Sequence, residues 1–398
     1  MRQEDTLKFN FARELMLEYA SLSGLRPAQP NPQRYLWTDA FAACNFLTLY
    51  RETKDDQFRT LALDLVHQVH YYLGRHRNDD RRTGWISGLG EKEGAEHPAI
   101  GGLRIGKEMN ERKPGEPYDE YLEWDRDGQY YHYLTKWMHA LATVALATGD
   151  PVYTKWAIEL AKTAHSRFAY APSPRVRKLM YWKMSIDLSY PLVSSMGQHD
   201  PLDGLVTYCE LQAQADQSEG QKDWLPLHDE ITDISRICEE QQLITDDLLG
   251  IGSLLVDAFR ISQLIVTGKF PRKSLLPEVL EAALSGLDYY SLTTASARRP
   301  ADYRLAFREL GLSIGLHAIG QMQKLIDQHP GVFGRDPSIF TLLQRLIPHF
   351  SIQREIETFW LEHRNRESQG WLDHRLINMV MLATSLAPDC FLAPSVSK

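Results

Sequence analysis

The feature that most constrains this chain is the period of its apolar residues. Over most of the 398 residues they recur at helical spacing, and β-branched alternating runs of useful length are nearly absent. The spacing predicts twelve helices, over 4–22, 37–53, 55–75, 128–148, 150–170, 200–215, 223–242, 247–267, 273–290, 302–328, 337–362 and 371–386. The predicted fold class is therefore all-α.

These helices alternate in character. Those starting near 37, 128, 200, 247, 302 and 371 carry small residues, as in "DAFAACNF", "HALATVALATG", "GIGSLLVDAF" and "GLSIGLHAIG". Small side chains let helix axes approach closely. The intervening helices, such as "DDQFRTLALDLVHQVHYYL", are amphipathic with one wet face. The pattern reads as inner helices alternating with an outer ring.

Inner-to-outer links are short; in "ATGDPVY", Asp150 is placed as the N-cap and Pro151 at the first helical position. Outer-to-inner links are long and rich in Trp, Asp, His and Gly, above all 76–127 and 171–199. Loops longer than about 15 residues inside a compact domain are usually functional. The expectation is a single domain over 1–398 with its site at the end where these loops gather.

The alternation over essentially the whole chain, with "RYLWTDAF", "EWDRDGQY" and "GWLDHRL" at inner-helix starts, resembles the six-hairpin glycosidase-like superfamily, which also includes sugar 2-epimerases. The resemblance implies an (α/α)6 barrel, or toroid, of six helical hairpins and a sugar-processing activity. It lies in architecture and in the style of the rim, and fold alone does not decide chemistry.

Composition narrows the remaining choices. A net charge of −8 without any Lys/Arg run argues against nucleic acid as a partner. Charges interrupt the apolar residues of "MRQEDTLKFNFARELMLEYASLS", unlike a signal peptide, and no stretch approaches the roughly 18 consecutive apolar residues of a membrane span. Cys44, Cys209, Cys238 and Cys390 are far apart and show no metal-ligand spacing. A cytoplasmic protein with buried thiols, no cofactor, no metal and no membrane partner is expected; its oligomeric state is left open.

The chemistry is expected at the inner-helix starts. There stand Trp37-Thr38-Asp39, Trp124-Asp125-Arg126-Asp127, His199-Asp200-Pro201-Leu202-Asp203, Asp246-Asp247, Arg308-Glu309 and Trp371-Leu372-Asp373-His374. An indole offers a flat face to the C–H side of a sugar ring, while carboxylates and imidazoles bond hydroxyls. Small-molecule or oligosaccharide substrates follow from that combination.

Asp is also a preferred N-cap, favoured by the helix dipole, and Asp200 before Pro201 and one of Asp246 and Asp247 read as caps on that ground. Glu123, Asp125 and Asp127 differ: one helix start needs one cap, so at least one of the three is left for function.

A glycoside hydrolase would use Glu123 or Asp125 as general acid, with Glu108 a further candidate, and Asp39 or Asp373 as base. Trp37, Trp85, Arg104, Lys107, Trp124, Asp127, His132, Trp182, Gln198 and Trp371 are the expected substrate contacts. The rival chemistry is epimerisation or isomerisation at C2 of an open-chain sugar by paired imidazoles, His199 and His374 being the best placed. A non-catalytic carbohydrate-binding protein is the third reading.

Overall fold

The computed structural model describes residues 3–393 except 174–175, 218–224, 240, 293–298 and 335–336. Eleven of the twelve expected helices are present with ends shifted by a few residues: Gln3–Leu22, Leu36–Thr53, Asp56–Leu73, Tyr131–Thr148, Val152–Phe168, Asp200–Gln217, His228–Ile237, Leu248–Val266, Leu275–Leu292, Ala306–Gln328 and Arg375–Leu386. The helix expected over 223–242 is shorter, and 218–224 and 240 lie outside the described residues.

The twelfth, expected over 337–362, is two helices, Pro337–Leu346 and Phe350–Leu361, joined by the 3-10 turn Ile347–His349. Pro348 lies in that turn; its missing N–H and fixed φ interrupt an apolar periodicity that runs through without a break.

The chain divides into two compact units, Ala20–Gln241 and Met1–Tyr19 with Gln242–Ala393. In the first, Leu36–Thr53, Tyr131–Thr148 and Asp200–Gln217 pack side by side, each followed by its hairpin partner. Leu36–Thr53 is buried without interruption from Leu36 to Leu49, whereas Asp56–Leu73 buries only one face, through Phe58, Leu61, Ala62, Leu65, Val66 and Val69. A helix buried all round must be apolar or small all round, and this is the inner and outer alternation read from the sequence. The hairpin turn at Gly149 is left-handed at φ 72°, which glycine adopts without a Cβ clash. Asp150 accepts from the Val152 N–H at 3.0 Å.

In the second unit Leu248–Val266 packs along Ala306–Gln328, which also meets Arg375–Leu386 and Phe350–Leu361. Gly252, Gly311 and Gly315 sit where the first two helices cross; a Cβ on Gly315 would lie 2.7 Å from the Gly252 Cα. The helices therefore touch backbone to backbone. Leu248–Val266 is long and apolar enough to cross a bilayer by length and composition, yet it is largely buried inside the protein, as a core helix is.

The N-terminal helix is tied to this unit by Lys8, whose Nζ donates to Glu357 at 3.1 Å, and by an ion pair of Glu18 with Arg375. Glu357 also accepts from Ser313 and Ser385, each at 3.1 Å, and stands 2.8 Å from His317 Nε2. One buried carboxylate thus links four helices.

Candidate functional site

Within Ala20–Gln241, residues 74–130, 169–173 and 176–199 fold over the starts of the three inner helices. The Leu36 N–H donates to the Ile105 carbonyl at 3.0 Å, and the Tyr131 N–H points to the Trp182 carbonyl at 3.4 Å. A small antiparallel sheet, ordered Gln129–Tyr130, Lys183–Met184, Pro191–Val193, joins the two long segments. Tyr130 pairs with Lys183 across it.

The scaffold beneath is ionic. Asp127 is fully buried and ion-paired with Arg104 and, at 3.2 Å, with Arg77; its other oxygen accepts from the Gly106 and Gly128 N–H groups, both at 3.0 Å. Arg104 also donates to the carbonyls of Arg75 (2.8 Å) and Tyr72 (2.7 Å). A buried pair of this kind holds only while both partners and their lone pairs are satisfied. Arg82 forms a second node with Asp80, Glu111 and Asp187. Trp85 is buried against Gly94, with the Arg75 guanidinium 5.0 Å from its ring.

On this scaffold stands a wall of rings. Trp182 packs edge-on to Trp124 at 5.4 Å, lies 5.4 Å from Tyr130 and stacks over His132 at 6.5 Å. Tyr133 continues the wall, 4.8 Å from His132 and 5.2 Å from Tyr130, and reaches Tyr35 at 5.5 Å and Trp37 at 6.5 Å. Trp124 is 48% exposed, so this end of the wall faces solvent with an open indole.

Carboxylates border it. Glu123 is 3% exposed, with Arg112 at 3.4 Å and Lys183 Nζ at 4.0 Å; its Oε1 accepts no hydrogen bond among the described residues. Asp200 is 6% exposed, its Oδ1 lies 3.7 Å from His132 Nδ1, and its Oδ2 has no donor among the described residues. Asp203 is held by Lys136 at 2.7 Å and by the Thr135 hydroxyl. Asp125 is exposed at the end of the short helix Glu120–Asp125.

Two lysines complete the electrostatics. Lys183 is fully buried, donates to the Glu123 carbonyl at 2.6 Å and the Arg126 carbonyl at 2.8 Å, and lies over the Tyr130 ring. Burial lowers its pKa to about 8, against the opposing pull of the Glu123 and Asp127 charges. Lys107 lies 5.4 Å over the Tyr35 ring, and burial lowers its pKa despite Asp125 and Asp127 nearby.

The structure brings Trp37, Lys107, Glu123, Trp124, Asp125, His132 and Trp182 to this wall or its border. Arg104, Asp127 and Trp85 lie in the scaffold below it. Asp39 is buried, accepts from the Tyr35 N–H at 3.0 Å and lies 3.5 Å from Arg34. Gln198 is exposed and His199 half-buried on the segment leading to Asp200.

In the other unit Trp371 is buried against Trp360 at 5.4 Å, Asp373 accepts from Gln369 at 2.6 Å, and exposed His374 meets the Phe307 edge at 5.5 Å.

Two expectations about capping change. None of Glu123, Asp125 and Asp127 caps Tyr131–Thr148, which has no side-chain cap; Asp119 caps the short helix ahead of it, accepting from Leu122. Asp200 makes no capping bond among the described residues, whereas Asp247 caps its helix through the Gly250 N–H. The residues that sequence reasoning passed over are Tyr35, Tyr130 and Tyr133, and Asp200 was read as a cap. The run "QYYHY" at 129–133 was the available signal, four rings crowded onto one helix start.

No family model matches the chain, and no curated protein does. Solved structures do. An inactive variant of an α-1,6-mannanase from Salegentibacter sp. HEL1_6, in complex with α-1,6-mannotriose, is 12% identical with a TM-score of 0.51, over 96% of this chain and 99% of that one. A cellobiose 2-epimerase from Spirochaeta thermophila is 12% identical with a TM-score of 0.48, over 95% and 98%. One from Bacillus thermoamylovorans is 11% identical with a TM-score of 0.43, over 86% and 87%. At these identities the likeness is one of fold alone: the chain is all-α and shares the (α/α)6 fold of the mannanase.

Proposed function

We propose that the protein is a carbohydrate-active enzyme and that its reaction is glycoside hydrolysis. One observation carries the reading: two buried carboxylates, Glu123 and Asp200, border one continuous wall of aromatic rings, and each keeps an oxygen without a donor among the described residues. Burying such an oxygen is costly unless a ligand group bonds it. A sugar seated on Trp124 and Trp182 supplies both the apolar ring face and the hydroxyls. The mannanase of similar fold holds an oligosaccharide, which supports that class of ligand.

Hydrolysis then divides between the two carboxyl groups. One donates its proton to the glycosidic oxygen as the bond to the anomeric carbon breaks; the other takes a proton from the water whose oxygen attacks that carbon. Glu123 and Asp200 are assigned these parts, with Asp125 and Lys107 on substrate hydroxyls.

The second reading, epimerisation at C2, is favoured by the 3.7 Å approach of His132 to Asp200. An imidazole facing a carboxylate at that distance is placed to act as the base that removes the C2 proton.

The test is a pair of assays on one preparation. Hydrolysis predicts release of reducing ends from mannan- and glucan-derived oligosaccharides, lost in Glu123→Gln. Epimerisation predicts deuterium uptake from heavy water at C2 of a free sugar, lost in His132→Ala and kept in Glu123→Gln. Sugar binding with neither activity would overturn both and leave a binding protein.

A further inference from the structure

The hydroxyls of Tyr35 and Tyr133 lie 2.5 Å apart, at the starts of two neighbouring inner helices. Two phenols carry two protons. Their mutual bond uses one, whichever is the donor, and neither hydroxyl makes a second hydrogen bond among the described residues. A phenol that donates while accepting from another is also a stronger donor than a lone one.

Both side chains are only half-buried. The pair is continuous with the wall of the candidate site: the Tyr133 ring touches Tyr130 and His132, and the Lys107 ammonium lies over the Tyr35 ring. Burial pushes the Tyr35 hydroxyl up to about 12 and raises that of Tyr133 well above the ordinary phenol value. Both therefore stay protonated throughout the neutral range, and the unused proton is always present.

We propose that the Tyr35–Tyr133 pair is a ligand-binding element that donates one hydrogen bond to an oxygen of the bound sugar. The proposal rests on the carbohydrate reading above and specifies how one sugar position is recognised. A site built around a donor discriminates against an analogue lacking the matching oxygen, because the donor is then left buried without a partner.

The experiment is titration of tryptophan fluorescence with glucose, mannose, galactose, N-acetylglucosamine and cellobiose, followed by the monodeoxy forms of whichever binds. In the unsubstituted protein one deoxy position is expected to bind about tenfold more weakly, the size of one well-made hydrogen bond. In Tyr35→Phe/Tyr133→Phe that difference disappears while the deoxy sugar binds as before. Each single Phe variant retains one hydroxyl and keeps the discrimination in reduced form.

Should the double variant fail to fold, the singles decide: weaker binding of the full sugar with unchanged binding of the deoxy form supports the proposal, and unchanged binding of both overturns it. Full discrimination in a folded double variant also overturns it. Failure of every sugar to bind the unsubstituted protein instead removes the carbohydrate reading itself.

Discussion

His132 Nδ1 stands 3.7 Å from Asp200 Oδ1, an imidazole from one inner-helix start facing a carboxylate from the next. Neither His132 Nδ1 nor Asp200 Oδ2 has a hydrogen-bond partner among the described residues. The two groups therefore meet across a gap that a substrate hydroxyl or a water can bridge. Sugar turnover is expected to fall by about 10²–10⁴ in Asp200→Asn, the range typical of an acid–base group, with the thermal midpoint little changed. Turnover within a few-fold of that of the unsubstituted protein would remove Asp200 from the proposed chemistry.

The Arg104–Asp127 pair is expected to govern stability rather than turnover. Asp127→Ala leaves Arg104 without its carboxylate, Arg77 with Asp79 alone, and two backbone N–H groups without their acceptor. Breaking one side of a buried ion pair costs about 3–5 kcal/mol. Urea unfolding should show a loss of that order, and increased amide exchange at Gly106 and Gly128 should accompany it. A midpoint unchanged in urea would show that this node is dispensable.

Glu357 sets an acid limit on the second unit. Burial alone would raise its pKa, but the His317 and Lys8 interactions outweigh it and hold the carboxyl at about 2, against 4.5 for the free side chain. A carboxyl with a depressed folded value stabilises the protein above pH 4.5, and that contribution is lost as pH falls from 4.5 to 2. The displacement corresponds to about 3 kcal/mol at most. Denaturation measured between pH 7 and pH 3 should decline less steeply in Glu357→Gln, from a lower starting stability. Parallel declines in the two proteins would exclude this carboxyl as the source.

Gly252→Ala places a methyl group against the Gly311 carbonyl. Relief requires separating two helices in backbone contact, and overpacking of that kind typically costs about 1–3 kcal/mol. Gly320→Ala, whose Cβ would meet nothing within 4 Å, is the matched control on the second helix. It should be neutral or slightly stabilising, since alanine is the better helix former by up to about 1 kcal/mol. Equal effects from the two substitutions would contradict the close crossing.

Helix identity, and the division into small-residue inner helices and amphipathic outer ones, was legible in the sequence because both are local. They depend on which side chains recur within one turn, and Leu36–Thr53 and Asp56–Leu73 show the contrast as read. The break at Ile347–His349 was also within reach, since it follows from Pro348.

The fate of the acids was not. Glu123, Asp125 and Asp127 lie within five positions of one another, yet one keeps a buried oxygen without a donor, one is exposed and one is locked between two arginines and two amides. Sequence placed carboxylates and rings at the helix starts; tertiary structure alone decided which remain available for a ligand. A carboxylate's availability depends on the donors around it, and for Asp127 these come from residues 77, 104 and 106, brought near only by the folded loop. The Tyr35–Tyr133 contact spans 98 positions for the same reason. Periodicity is a property of the chain, whereas an unoccupied lone pair or an unused proton is a property of the neighbours that folding supplies.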